Sequence, residues 1–371
     1  MFLTRREFLR MAGVGGLAGL LPRSLRAAVR PQVPEARSSP VGPIPDLRQV
    51  ATRTPIVNDD RDGTYFWMDG STVLFLRLTP NTTLYHATFI DAATGRKTLP
   101  EAFNTRNGSL LRGQSMIVMA GNHREQCYLP LEAVLSPDKR WLLWSSLGTL
   151  SGPRWVAATL SGAEQRQWKP DSDPASQVAG LPGHALWMRD SRMWVELVYR
   201  YANRNYTITR ANVYELDDSS PIRKIAVQGL EDGLLAGLTG DNEILMYYPP
   251  DPIGRHETPI TEAHFSLVPL TSATVTARDL TITIPTSMDI ASVLLSPQGD
   301  RLAWILQRGG LDSPVYTLYV SDGEGKGMRA IGSAPYVQVG KRYSWPGDLR
   351  WLPDGKRVSF VYRNALYTVP I

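Results

Sequence analysis

One cysteine, Cys127, stands among 371 residues, so the chain closes no internal disulfide and has to hold itself together by packing. Histidine is almost as scarce. His86, His123, His184, His256 and His264 are scattered, whereas a zinc site needs three or four ligands brought together, so neither a metal nor a cofactor is expected. His123 and Cys127, four residues apart, are one pair that could share an ion. A Gly-x-Ser-x-Gly nucleophile turn is absent, and no α/β stretch remains to carry one. A large basic excess is lacking as well. The net charge is +5, but residues 1–28 hold five arginines against Glu7 alone, leaving about +1 for the rest. A sequence pI near 9.2 therefore gives no ground for expecting a nucleic-acid partner.

What the first 28 residues do contain is an address. A charged start is followed by a mild apolar run, Met11 to Leu21, too short to cross a bilayer as a helix of ~18 or more residues, and then by Ala27-Ala28. Thr4-Arg5-Arg6-Glu7-Phe8-Leu9-Arg10 resembles the twin-arginine export motif, in which Arg5 and Arg6 precede the apolar pair Phe8 and Leu9. The resemblance implies a periplasmic or extracellular protein that engages the twin-arginine translocase and crosses the membrane already folded. Leu25 and Arg26 occupy the −3 positions where a cleavage site prefers a small residue. Cleavage and retention as a membrane anchor are thus both open. Residues 29–51, with five prolines, read as an extended linker.

From Thr52 onward no stretch sustains a helical period, and short apolar strands alternate with Gly, Pro, Asp and Asn, which predicts an all-β fold. Three passages repeat one order of apolar strand, turn, basic residue and apolar-aromatic strand: Val134 to Trp144, Val293 to Trp304 and Leu349 to Tyr362. Turns between the first two strands of successive units fall at Asp69-Gly70, Pro137-Asp138, Asp190-Ser191, Gly240-Asp241, Gln298-Gly299 and Asp354-Gly355. Four strands per unit, six times over, is the pattern of a six-bladed β-propeller spanning residues 52–371. The last unit runs out after three strands, so Thr52–Val57 is expected to supply its fourth and close the ring. Seven blades are the alternative, with Ser115–Ala120 giving a strand of the extra one.

The Leu-Ser-Pro turn followed by a basic and an apolar-aromatic segment resembles the WD40-like repeat of TolB-type propellers. In the fifth unit Leu318-Tyr-Val-Ser-Asp-Gly323 is similar to that family's third strand. The resemblance implies a periplasmic ring that binds proteins or serves as a scaffold.

Two functions compete. The first is an exported, non-enzymatic propeller that binds an envelope protein or a glycan. The second is a propeller enzyme (a lyase, a glycan hydrolase or a cofactor- or calcium-dependent oxidoreductase) with its site in the central channel. The first is preferred because the innermost strands, such as Leu186-Trp187-Met188, offer no convergent His, Asp or Glu. In an up-and-down blade the longer connections share one face of the ring, opposite the tight turns. The candidate binding residues on those connections are His123, Arg124, Arg204, Arg255, His256, Lys341, Arg342 and Tyr343, with Arg308 and Trp345 beside them. Asp171, Asp217-Asp218 and Glu231-Asp232 read as turn caps rather than calcium ligands, and Gly323–Gly327 as a hairpin turn rather than a phosphate loop.

Overall fold

The computed structural model describes residues 48–49, 63–78, 85–98, 116–120, 123–127, 133–146, 154–160, 164–171, 184–202, 205–231, 233–249, 259–309, 314–339, 342–363 and 365–371. All regular elements among them are strands. β1 (Arg48–Gln49) precedes blade one: β2 (Gly63–Trp67), β3 (Thr72–Leu78), β4 (Tyr85–Asp91) and β5 (Lys97–Thr98). A separate hairpin, β6 (Met116–Ala120) with β7 (His123–Cys127), comes before blade two. Blade two is β8 (Val134–Leu135), β9 (Trp141–Ser146), β10 (Arg154–Thr159) and β11 (Gln165–Trp168). Blade three is β12 (Ala185–Trp187), β13 (Met193–Ala202), β14 (Asn205–Glu215) and β15 (Arg223–Glu231). Blade four is β16 (Leu234–Leu238), β17 (Ile244–Tyr248), β18 (Ile260–Val268) and β20 (Arg278–Ser287), with β19 (Thr274–Thr276) crossing over to pair parallel with β15. Blade five is β21 (Asp289–Leu295), β22 (Arg301–Arg308), β23 (Val315–Asp322) and β24 (Arg329–Pro335). After a second hairpin, β25 (Val337–Val339) with β26 (Arg342–Ser344), blade six is β27 (Gly347–Trp351), β28 (Arg357–Tyr362), β29 (Ala365–Pro370) and β1.

Six blades it is, and the surplus residues between blades one and two form the β6–β7 hairpin rather than a seventh blade. The ring closes by pairing the two ends of the described chain, as expected, but with a different segment. Arg48 lies opposite Thr368 and Gln49 opposite Tyr367, within the stretch read as linker; Thr52–Val57 lies outside the described residues.

The blades stand because their central strands are apolar on both sides. In Trp141-Leu-Leu-Trp144 alternate residues face opposite neighbours. Leu142 and Trp144 join Phe66 and Leu74 of blade one, while Trp141 and Leu143 join Trp187 and Trp194 of blade three. The same alternation fills all six seams, including blade six against blade one, where Tyr65 and Phe75 meet Leu352, Val361 and Leu366.

Every turn anchor read from the sequence falls between the first two strands of a blade. Ser136 and Ser296, both buried, explain the Leu-Ser-Pro signature: each hydroxyl donates to an Asp of its own turn and accepts the N–H that opens the next strand. The turn then passes through the left-handed region, at Lys139 (φ 65), Ser191 (φ 59), Asn242 (φ 60), Gly299 (φ 75) and Gly355 (φ 61). Only blades five and six place glycine there, where it costs least.

These turns are packed against one another. A Cβ on Gly299 would stand 2.5 Å from the backbone N of Gly240. At the free left-handed position Gly327, nothing lies within 4 Å. Gly299→Ala is therefore expected to destabilise the ring by about 3 kcal/mol or more, and Gly327→Ala by about 1 kcal/mol. Lys139→Gly should stabilise by about 0.5–1 kcal/mol. Urea unfolding of the three variants checks the ranking and the change of sign.

Candidate functional site

The recurring basic residue of the repeat works on the turn face. The Arg301 guanidinium donates to the Gly355 carbonyl of the next blade, and Arg357 Nη2 donates to the Gly70 carbonyl of blade one at 2.9 Å. Arg189 reaches further, donating to Gly240 of blade four at 2.9 Å and to Gln298 of blade five at 2.7 Å. Ser191 Oγ of blade three accepts the Asp138 N–H of blade two at 2.9 Å. Blade-to-blade bonds and glycine-tight contacts thus occupy the turn face. Strand alternation sends the connections between second and third strands, and between blades, to the opposite face. That loop face is the candidate functional surface.

Its described centre of interest lies where blades five and six meet. Tyr316 at the start of β23, Tyr336 just after β24 and Trp345 just after β26 form a ladder of rings. Tyr316 and Tyr336 have centroids 6.4 Å apart at 40°, and Tyr336 and Trp345 are 5.9 Å apart at 31°. The ladder is pinned from below. Tyr316 donates its hydroxyl to Gln307 Oε1 at 3.3 Å, the Tyr336 N–H donates to Pro314 at 3.1 Å, and Tyr362 donates to Pro335 at 2.8 Å. Burial first, then the neighbouring Tyr336 and Asp289, push the Tyr316 hydroxyl up to about 12, so it stays a neutral donor. At the outer end Trp345 is 39% exposed, the opposite of Trp144, Trp194 and Trp304, which lie sealed in the seams. Arg363 follows closely: its N–H donates to Ser344 Oγ at 2.7 Å and its guanidinium lies 5.1 Å from the Tyr362 ring.

A second polar cluster lies inside the seam of blades two and three. Glu196, 1% exposed, accepts from Trp155 Nε1 (2.7 Å), the Tyr214 hydroxyl (2.8 Å) and Asn212 Nδ2 (3.2 Å). Loss of water raises its carboxyl above the usual glutamate value, and these donors pull back part of the shift. Asp171 caps the outer end, bonded to Lys224 at 3.0 Å and paired with Arg210 at 3.3 Å. Partial burial works to raise Asp171, but Lys224 and Arg210 outweigh it and hold the carboxyl below its ordinary value near 3.8. The cluster is a clamp between blades, with its carboxylates already matched by donors and cations.

Near the axis, Arg350 of β27 lies over Tyr65 (4.8 Å) and Phe66 (4.9 Å) and pairs with Asp348 at 3.1 Å. Among the described residues no group of three or more His, Cys, Asp or Glu is gathered to hold a metal ion.

The residues expected from sequence divide as follows. His123 and Arg124 belong to β7, and Arg342 and Tyr343 to β26, so both hairpins arise in connections already singled out. Four residues along a strand span roughly 13 Å, so His123 and Cys127 do not share one ion. Arg204, Arg255, His256 and Lys341, and the leader residues Arg5, Arg6, Phe8 and Leu9, lie outside the described residues. Sequence reasoning found Trp345 but missed Tyr316, Tyr336 and Arg363, which become neighbours only when blades five and six dock. Glu196 had left a signal: one carboxylate in an otherwise apolar run, Trp194-Val-Glu-Leu-Val198. Gly323–Gly327 forms the hairpin turn expected, whereas Asp171, expected to cap a turn, spends its carboxylate on the Lys224 and Asn212 side chains.

The chain is a six-bladed β-propeller. No family model and no curated protein matches its sequence. Among solved structures it is similar to a protein assigned as TolB from Agrobacterium tumefaciens: 12% identity over 83% of this chain and 90% of that one, TM-score 0.43. It is also similar to the β-propeller domain of the Trilobed protease from Pyrococcus furiosus, at 10% identity over 83% and 93% of the two chains, TM-score 0.41. An acylaminoacyl peptidase matches at 11% identity over 84% of this chain and 52% of that one, TM-score 0.40. The likenesses concern the ring and assign no activity or partner. They do correct one expectation, that the chain is not an enzyme: enzyme chains stand among the similar structures, so missing hydrolase motifs do not make this propeller non-catalytic.

Two expectations follow for the buried clamp. Every group around Glu196 is a donor, so Glu196→Gln sets an amide NH2 against donors and should cost about 1–3 kcal/mol in denaturant unfolding. Asp171 has a lowered carboxyl, so its contribution is full above the ordinary value near 3.8 and is lost as pH falls through the lower folded value. Asp171→Asn should therefore cost about 1 kcal/mol at pH 7, with the gap to the native protein closing below about pH 4 in thermal melts.

Proposed function

We propose that the chain is an exported propeller whose loop face binds a macromolecular component of the cell envelope. The observation that carries the reading is the division between the two faces. On one, arginine-to-carbonyl bonds and close glycine contacts join successive turns; on the other lie the long connections, both hairpins and the exposed Trp345. Recognition concentrates on loops held by a rigid scaffold. Export rests on Arg5-Arg6 with Phe8-Leu9 and on the mild apolar run that follows.

Photo-crosslinkers placed in living cells test both parts. Positions Val315 and Arg363 report on the loop face, and Asp241 and Lys356 on the turn face. Loop-face positions are expected to crosslink to an envelope component while turn-face positions do not; the reverse pattern would refute the assignment. Changing Arg5-Arg6 to Lys-Lys should strand the protein in the cytoplasm, read by cell fractionation.

A further inference from the structure

We infer that the Tyr316–Tyr336–Trp345 ladder is the docking element for an extended, acidic segment of a partner protein; this rests on the loop-face reading above and gives it a place and a chemistry. Three observations converge on one corner. The first is a fixed aromatic surface. Tyr316, Tyr336 and Tyr362 are hydrogen-bonded in place, so the rings that lead out to Trp345 are ordered before anything binds. Aromatic and arginine side chains are the ones that dominate protein interfaces, and Trp345 with Arg363 beside it supplies both.

The second is charge. Residues 330–347 contain Lys341 and Arg342 and no aspartate or glutamate. Arg342 pairs across from Val339 at the end of the β25–β26 hairpin, and Arg363 adds a cation at its base. The described carboxylates bordering this corner are Asp348 and Asp289; Asp312, in the neighbouring connection, lies outside the described residues. Asp348 pairs with Arg350, and Asp289 acts on the buried end of the ladder at Tyr316. An incoming acidic chain meets complementary charge around an aromatic floor.

The third is backbone. The β25–β26 hairpin is a two-stranded sheet, and neither strand pairs with another described strand. An extended segment can add to such an edge through its own peptide groups, leaving alternate side chains to meet Trp345 and Arg363. A folded acidic surface would use the charge but not the edge, so the extended form uses all three features at once.

The test is selection of random 12-residue peptides displayed on phage against the purified propeller, with affinities of synthetic winners measured by calorimetry. Polygalacturonate serves as the anionic glycan probe, and sedimentation reports self-association. Enriched peptides are expected to be acidic, to lose at least tenfold in affinity on Trp345→Ala and about threefold on Arg363→Asn, and to weaken as salt is raised. Asn suits the left-handed backbone at position 363 (φ 51), so that variant changes charge without straining the turn. No acidic enrichment, or acidic peptides indifferent to both variants, would overturn the inference. So would polygalacturonate binding that depends on Trp345, or a dimer that Trp345→Ala dissolves. Crosslinks to a partner at Arg200 or Tyr248, at the loop-face ends of blades three and four, but not at Arg363 would leave the loop-face reading standing while removing this site from it.

Discussion

A sheet that is apolar on both faces can stay folded in water only with a neighbour on each side, and this requirement shapes the whole molecule. Leu142 and Trp144 need blade one; Trp141 and Leu143 need blade three. Applied to each blade in turn, the demand has no end until the last sheet meets the first. The seam of Tyr65, Phe75, Leu352, Val361 and Leu366 is where it is met. What remains to be decided is the two rims, and they are built from opposite materials. Short turns with left-handed residues let one rim close upon itself through arginines, and the other rim is left to the connections.

The architecture was readable because its signals are local and repeated. A Pro-Asp-Gly or Leu-Ser-Pro turn between alternating strands declares itself within a dozen residues; three turns carry such a phrase, and the spacing of the other three completes the blade count. The buried Ser136 and Ser296 show why that short phrase recurs: one hydroxyl satisfies the turn aspartate and the first ladder N–H together. Where the turn uses Asn242 or Ser191 instead of glycine, the phrase fades and only the spacing is left. The closing strand escaped for a related reason. Two residues, Arg48 and Gln49, pair with Thr368 and Tyr367, too short a stretch to show any period and set among prolines that argue for a linker.

The candidate surface was legible only in outline. Long connections could be counted, and Trp345 stood out among them. Tyr316 and Tyr336 could not be joined to it, because their adjacency depends on how blade five docks against blade six rather than on any spacing along the chain. The Glu196 clamp shows the same limit: a carboxylate inside an apolar strand announces a partner, but its donors come from blade two (Trp155) and from the next strand (Asn212, Tyr214). The expectation of a purely non-catalytic chain failed on a different point, since fold and motif inventory together do not decide catalysis.

The pairing of Arg48 with Thr368 also sets a timetable. During synthesis the first strand of that pair emerges early and then waits through five blades for its partner. Until residue 368 has left the ribosome, blade six lacks its third strand, and blade one presents Tyr65 and Phe75 to water with nothing behind them. Contacts that join such distant parts of a chain form late and slowly. The growing protein is thus an open fan with two apolar edges for nearly the whole of its translation, the kind of uncovered surface that makes partly folded chains prone to aggregate.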